Sequence, residues 1–318
     1  MKRIFLVSVL IILTLKGFCW GFYGHRLINY QAVFVLPPEM IFFYKPHIQY
    51  ISSHAVDPDK RRYAVLEEGP RHYIDMDIYC GISIPRSWTK AVEKFSEDSL
   101  MLHGIVPWWV QVMLARLTKA FKEKNVTAIL KLSAETGHYL GDAHVPLHTS
   151  ANHNGQLTGQ QGIHGFWESR LPEIYAETEW DLFAGRAMYI KNPLEFTWKR
   201  VEESALASDS VLQFEKRLNA TFTSDKKYAY EKRNGVIIKQ YSADYSSAYN
   251  KILNGMVERR LRQSVFAVAS FWYTAWVNAG QPNLKDLSRK ELSEDDQVEL
   301  NLIEMKWKKE KVKGRSCE

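Results

Sequence analysis

Apolar residues recur three and four positions apart along almost the whole chain, and runs that alternate apolar and polar residues are rare. This spacing is typical of helices that bury one face. It predicts a mainly α-helical protein, with helices at residues 25–36, 38–53, 88–102, 107–124, 126–142, 165–176, 193–221 and 246–278. Two short stretches interrupt the helical pattern. A helix is predicted to begin at Pro37-Pro38, and the last predicted helix ends at Gly280-Gln281-Pro282.

The last of these helices is the most apolar, with Val265, Val268, Phe271 and Trp272 among its residues. Such a helix is expected to be a core pillar of the fold and not a site. Because the chain shows no internal repeat and no clean linker, we expect an all-α fold with a single multi-helical domain at residues 20–282.

Two regions depart from the helical pattern. Residues 152–163 are rich in Gly, Gln and Asn and predict a long loop, which inside a compact domain is often functional. Residues 283–318 form a tail dense in charges of balanced sign, expected to be a solvated helix or a frayed end without chemistry.

The amino terminus has the pattern of a secretory signal. Met1-Lys2-Arg3 precede an apolar run at residues 4–15, which is too short to span a bilayer, and the small residues Gly17 and Cys19 follow. We expect residues 1–19 to be cleaved before Trp20, giving a secreted or periplasmic protein. A lipid-modified Cys19 is the alternative, which Lys16 disfavours.

Charge and cysteine content narrow the function classes. The net charge is +6, of which Lys2, Arg3 and Lys16 belong to the predicted signal, and the remainder is too mild to indicate nucleic acid binding by itself. Cys80 and Cys317 would remain after cleavage, so that at most one disulfide could form and the fold must rest on its core.

Candidate metal ligands concentrate in one stretch. His138 and Asp142 are four residues apart, as are His164 and Glu168, and side chains at that spacing share a helix face. His148 follows Pro146, where the chain must turn. One such pair alone would more simply be a solvated face or a core histidine. Five residues of these types within about thirty positions favour zinc, and the absence of cysteine there argues against a structural finger.

With Trp20, His25 and His72 upstream, the order of these residues resembles that of the zinc-dependent phospholipase C and S1/P1 nuclease superfamily. The resemblance extends over most of the mature chain: an N-terminal Trp, a His, an Asp, a His, then HxxxD, a His and HxxxE. It implies the all-α fold of the phospholipase C/P1 nuclease type, a trinuclear zinc cleft, and an enzyme that hydrolyses phosphoric ester bonds.

The resemblance also implies a ligand set for three zinc ions. The first ion would be bound by Asp57, His72, His138 and Asp142, and the second by His148, His164 and Glu168. The third would take the amino nitrogen and carbonyl oxygen of Trp20 with His25, and Asp142 would bridge it to the first. Asp57 is preferred over Asp59 by its distance from His72, although Asp59 stays open. Asp57 would also act as the catalytic base toward water.

The two branches of the superfamily differ in substrate. His72-Tyr73-Ile74-Asp75 resembles the nucleases, whereas Glu168 and the short gap from His148 to His164 resemble the phospholipases. The first expectation is therefore a zinc-dependent hydrolase of the phospholipase C type; an S1/P1-type single-strand nuclease or 3′-nucleotidase, and a non-catalytic zinc-stabilised binding protein, are the alternatives. Tyr73 and Arg61 are the candidate substrate contacts.

The expected partners follow from these readings. They are a phosphodiester substrate, either a phospholipid headgroup or a nucleic acid, and a membrane surface in transient contact. No obligate protein partner is expected.

Overall fold

The computed structural model describes residues 21–233, 235–287, 294–310, 312–313 and 315. Trp20 and the predicted signal at residues 1–19 lie outside this part of the chain, so the cleavage site and the metal-binding amino group stay predictions. The described residues are mostly helical, which confirms the all-α class.

The helices follow one another along the chain with short connections. They are α1 (Gly21–Phe34), α2 (Pro38–Tyr44), α3 (Ile48–Ser53), α4 (Asp57–Arg61), α5 (Trp88–Phe95), α6 (Glu97–His103), α7 (Val106–Lys122), α8 (Val126–Asp142), α9 (Ile163–Gly165), α10 (Leu171–Tyr175), α11 (Pro193–Asn219), α12 (Ser224–Lys227), α13 (Ala243–Ile252), α14 (Met256–Asn278) and α15 (Glu294–Lys309). A two-stranded antiparallel hairpin, β1 (Tyr228–Arg233) and β2 (Val236–Tyr241), pairs Tyr228 with Tyr241 and Arg233 with Val236.

The core forms where α1, α7, α8 and α14 pack together. Val265, Val268, Phe271 and Trp272 of α14 are all buried, as expected of a core pillar. The Trp272 indole also donates a hydrogen bond to the Ser133 carbonyl of α8 at 3.0 Å. Because α8 carries two of the candidate ligands, this packing fixes the helix on which the site is built.

Several predicted helices are interrupted where the backbone turns left-handed. The predicted helix at 88–102 breaks at Ser96 (φ 67°), whose side chain accepts the Ser99 N–H and so caps α6. The predicted helix at 246–278 breaks at Asn254 (φ 49°) and Gly255 (φ 71°). The hairpin was not predicted.

The charged tail is helical but is not free in solvent. The Lys60 ammonium pairs with the Glu304 carboxylate at 2.8 Å, and the Trp307 ring lies 5.3 Å from that of Phe22. Therefore α15 packs beside α4 and the start of α1, contrary to a frayed end.

Among the described residues, no single helix has the length and apolar character to cross a membrane. The consecutive helices α6 and α7 would be long and apolar enough if taken together, but the chain bends by 97° between them.

A close contact between α1 and α8 depends on Gly137. A Cβ there would lie 1.9 Å from the Asn29 Oδ1 atom. Asn29 cannot simply move away, since its Nδ2 donates to the carbonyls of Ile51 and Ala134 at 3.2 and 3.0 Å. The same close approach lets the His25 and His138 rings stack, with their centroids 3.8 Å apart.

We expect Gly137→Ala to lower the free energy of unfolding by about 1–3 kcal/mol, because overpacking forces side chains and backbone apart. Urea unfolding of the purified protein measures the change. Gly165→Ala is the control, since a Cβ at that helical glycine would meet nothing within 4 Å. Equal midpoints for the two variants would contradict the close contact.

Candidate metal centre

The candidate ligands come from separate elements that converge below the protein surface. They are His25 of α1, Asp59 of α4, His72 at the end of the 3-10 turn Leu66–His72, His138 and Asp142 of α8, His148 of the turn Pro146–Thr149, His164 of α9, and Glu168 of the π-helical turn Phe166–Arg170. None of these residues is more than 6% exposed. Together they form what we call the metal centre.

One half of the centre is built on α8. The Nδ1 atom of His72 lies 3.0 Å from Asp142 Oδ2 and 3.0 Å from His138 Nε2. Asp59 Oδ1 lies 3.6 Å from the same His138 nitrogen. The helical spacing of His138 and Asp142 therefore puts both side chains on one face, as the sequence predicted.

The other half joins the turn after α8 to the next helical segment. His164 Nε2 lies 3.1 Å from Glu168 Oε2, and His148 Nε2 lies 3.5 Å from the same oxygen. His148 thus turns back toward the pair formed by His164 and Glu168. These three residues make a group whose donor atoms could hold one ion.

Asp142 connects the halves through its two carboxylate oxygens. Oδ2 faces His72 and His138, at 3.0 and 3.3 Å from their nearest nitrogens. Oδ1 lies 3.4 Å from His25 Nε2 and 3.6 Å from His148 Nε2. A single buried carboxylate is therefore shared by every part of the centre that the structure describes.

The structure places Asp59 in the centre and not Asp57. The Asp57 carboxylate instead contacts His54 Nδ1 at 2.6 Å and Lys60 Nζ at 3.4 Å. On α4, two residues apart point to different sides, so only one aspartate can face His138. The alternative that the sequence left open is thus the one that the geometry supports.

Hydrogen bonds to backbone carbonyls orient two of the imidazoles. His138 Nδ1 lies 2.8 Å from the Ala55 carbonyl, and His164 Nδ1 lies 3.0 Å from the His153 carbonyl. Because Nδ1 must donate to an oxygen, Nε2 of each ring is left as the acceptor facing the centre. Metal ligation needs that tautomer.

The charges of the centre attract a positive ion. Burial alone would raise the pKa of the Asp142 carboxyl, but the imidazoles of His138 and His148 hold that pKa well below its usual range. Burial likewise opposes a charge on His72, yet Asp142 and Glu68 raise its pKa to about 9. The pocket therefore favours a cation, either a proton or a metal ion.

Behind His72 lies a buried charged network that sequence reasoning missed. Its central residue is Glu68, whose Oε1 atom lies 3.6 Å from His72 Nε2. Arg61 and Arg71 donate to the same carboxylate at 2.9 and 2.6 Å, and the Tyr139 hydroxyl also donates to it. Glu68 thus faces the ring nitrogen of His72 that points away from the centre.

Arg61, a candidate substrate contact, belongs to this network. Besides Glu68, its guanidinium bonds Glu135 at 2.7 Å. These partners hold it on the Nε2 side of His72, while the centre lies on the Nδ1 side. The structure therefore does not bring Arg61 to the ligand-facing side.

Tyr73, the other candidate substrate contact, follows His72 directly and is 5% exposed. Its hydroxyl donates to the Leu102 carbonyl at 3.2 Å. The Arg315 guanidinium covers its ring, with the central carbon 4.0 Å from the ring centroid. Tyr73 is thus beside the centre, with its ring face occupied by the tail.

Comparison with protein-family models and with curated protein sequences finds no match for this chain. The geometry of the centre is therefore what supports a functional inference. Three groups of the described residues have donor atoms close enough to hold an ion, and the first two share His138: His25 with Asp59 and His138, His72 with His138 and Asp142, and His148 with His164 and Glu168.

Proposed function

We propose that this chain is a secreted zinc-dependent hydrolase of phosphodiesters, of the phospholipase C type. The observation that supports it is the convergence of five imidazoles and three carboxylates on one buried centre joined by Asp142. Purely structural roles for so many buried ionisable groups would be costly, because a buried charge needs compensation.

The donor set fits zinc. Imidazole nitrogens and carboxylate oxygens without thiolates are typical of catalytic zinc sites, which keep coordination positions open. Both oxygens of Asp59 are buried and accept no hydrogen bond from the described residues, and the same holds for Asp142 Oδ1. Such atoms are stabilised when a cation lies against them. His138 Nε2 can bind only one ion, so one of the two groups that share this residue needs a further ligand. We infer three ions, as the resemblance implies, with the amino terminus at Trp20 completing the group that contains His25.

Zinc bound here would supply Lewis-acid polarisation of a phosphoryl oxygen and a source of hydroxide near neutral pH. The residues of the chain supply the geometry. His138 and His164 are oriented by hydrogen bonds to backbone carbonyls. The Asp142 carboxylate lies between the two halves of the centre, within 3.6 Å of imidazole nitrogens on both sides. Asp59 takes the role that the resemblance gave to Asp57: one oxygen can ligate while the other accepts a proton from water.

The substrate class has a first and a second candidate. In the superfamily that the sequence resembles, Glu168 as the last ligand and the short segment between His148 and His164 are features of the phospholipases, so the resemblance favours a phospholipid headgroup. The ring face of Tyr73 favours the second candidate, a single-stranded nucleic acid or 3′-nucleotide. A planar guanidinium already stacks there, and a nucleobase would use the same face.

Purified mature protein should release the headgroup of phosphatidylcholine when assayed beside denatured DNA and a 3′-nucleotide. We expect a chelator to reduce the rate to background and zinc to restore it, whereas magnesium should not, because nitrogen-rich sites suit zinc. Elemental analysis of the active material is the companion measurement.

Each result would discriminate between the candidates. Active material without bound transition metal would contradict the proposal. Zinc-loaded protein inactive on all three substrates would favour a zinc-stabilised binding protein. Activity on DNA or the nucleotide alone would establish the second candidate.

A further inference from the structure

After α15, the C-terminal tail runs along chain segments that carry ligands of the metal centre. The Lys313 N–H donates to the Arg62 carbonyl at 2.8 Å, and its ammonium donates to the Ala64 carbonyl at 3.2 Å. The Arg315 carbonyl accepts a hydrogen bond from the Arg62 guanidinium. Arg62 directly follows α4, so the tail runs along the segment that positions Asp59.

Arg315 ends this path on the segments that carry two ligands. Its guanidinium donates to Asp75 Oδ1 at 2.5 Å and to the Ser150 carbonyl at 2.8 Å. Asp75 lies three residues after His72, and Ser150 two residues after His148. These segments touch each other, since the Ile74 N–H donates to the His148 carbonyl at 3.0 Å. Arg315 therefore ties together the two segments beside the centre.

Contacts of α15 hold the tail in place farther back. Glu304 pairs with Lys60, the residue next to Asp59, and the Lys60 ammonium also lies 5.5 Å from the Trp307 ring centroid. Ile303 of the same helix is 7% exposed. The tail is thus bound through both apolar and charged contacts, and Arg315 is the described residue that covers the Tyr73 ring.

We propose that α15 with Lys313 and Arg315 is an autoinhibitory segment that closes the Tyr73 face of the metal centre. The proposal rests on the proposed function with its second substrate candidate, since Tyr73 is the ring on which a nucleobase would stack. Arg315 covers that ring and also occupies Asp75 and the Ser150 carbonyl. A substrate must displace it, and the chain in this closed state binds substrate more weakly.

Three variants of the mature chain test the proposal. Arg315→Ala removes the guanidinium alone, and a chain that stops after Leu287 removes the whole segment. Lys309→Ala is the control, because it removes an exposed cation of the same helix. Nitration of Tyr73 by tetranitromethane, located by mass spectrometry, reports whether the ring is covered without any need for activity.

We expect Tyr73 to be nitrated several times faster in Arg315→Ala and in the shortened chain than in the full chain or Lys309→Ala. For phosphodiester hydrolysis, we expect KM to fall roughly tenfold at unchanged kcat, as when a competent state of about one-tenth occupancy becomes dominant. The fall should appear in Arg315→Ala, which leaves α15 in place.

Unchanged nitration in both variants would overturn the proposal, because Arg315 would not cover the ring. Faster nitration with a higher KM would overturn it too, since Arg315 would then bind substrate and not exclude it. If every chain lacks zinc and activity while nitration still rises, the proposed function fails but the coverage of Tyr73 by the tail stands.

Discussion

Asp142→Asn is expected to empty both halves of the metal centre at once. Its carboxylate oxygens approach His72 and His138 on one side and His25 and His148 on the other. The amide keeps the shape but loses the charge. Its NH₂ group would also donate a hydrogen bond to an imidazole nitrogen, which would occupy the lone pair that the metal needs. Zinc content should fall in both groups, and hydrolysis should fall by more than the roughly 10–100-fold that changes outside the ligand set cost.

Elemental analysis and phosphodiester assays of the purified variant measure both effects. Asp209→Asn is the matched control, an identical change at an exposed position of α11. It should keep its metal and activity. If Asp142→Asn lost only one ion and kept the rest, the shared role of this carboxylate would be wrong.

The sequence predicted the part of the centre that depends on local spacing. Residues 126–142 were predicted as one helix, and α8 has those bounds. Asn125 begins it by accepting the Ala128 N–H, and the chain turns before Pro146. Because ligands four apart on a regular helix must share a face, the pair His138 and Asp142 needed no tertiary information.

The choice between Asp57 and Asp59 needed tertiary information. Both lie in α4, a single short turn, and its rotation decides which carboxylate faces His138. That rotation is set by distant contacts: Lys60 pairs with Glu304 of α15, and Arg62 bonds the Arg315 carbonyl. Local spacing carries no information about contacts across more than two hundred residues.

The hairpin and the helix breaks were also not predicted, for different reasons. Strands β1 and β2 form a small sheet whose inner residue Tyr241 is stabilised by stacking on Phe166 at 3.8 Å, a long-range contact. Ser96 adopts φ 67°, which a non-glycine residue rarely does, so nothing in its identity marks the break.

Glu68 was overlooked although its sequence signal was present. It lies four residues before His72, the same spacing that identified the other two pairs. Pro70 stands between them and argues against a helical turn. The structure nevertheless has a 3-10 turn at Leu66–His72 with Pro70 inside it, which brings Glu68 and His72 together.

The position of Glu68 makes it a positioning residue for His72. Although burial would raise its pKa, His72, Arg61 and Arg71 hold the pKa of the Glu68 carboxyl well below its usual range, so it stays charged. The Glu68 carboxylate lies 3.6 Å from His72 Nε2, so its charge favours a proton on that nitrogen and leaves the Nδ1 lone pair to face the centre. Such outer partners orient the ligand ring and raise its basicity.

We therefore expect Glu68→Gln to weaken binding of the ion at His72 by roughly 10–100-fold, the usual cost of losing an outer partner of a ligand. Glu135→Gln should leave metal affinity nearly unchanged. It is a stringent control, because Glu135 is also buried and also bonds Arg61 but is not a partner of His72. Competition with a chelator measures the affinity, and the visible spectrum of the cobalt-substituted protein reports the ligand geometry. If metal affinity falls equally in the two variants and the cobalt spectra are unchanged, Glu68 acts only through the stability of the charged network. If affinity falls only in Glu68→Gln and its cobalt spectrum changes, Glu68 orients the His72 ring.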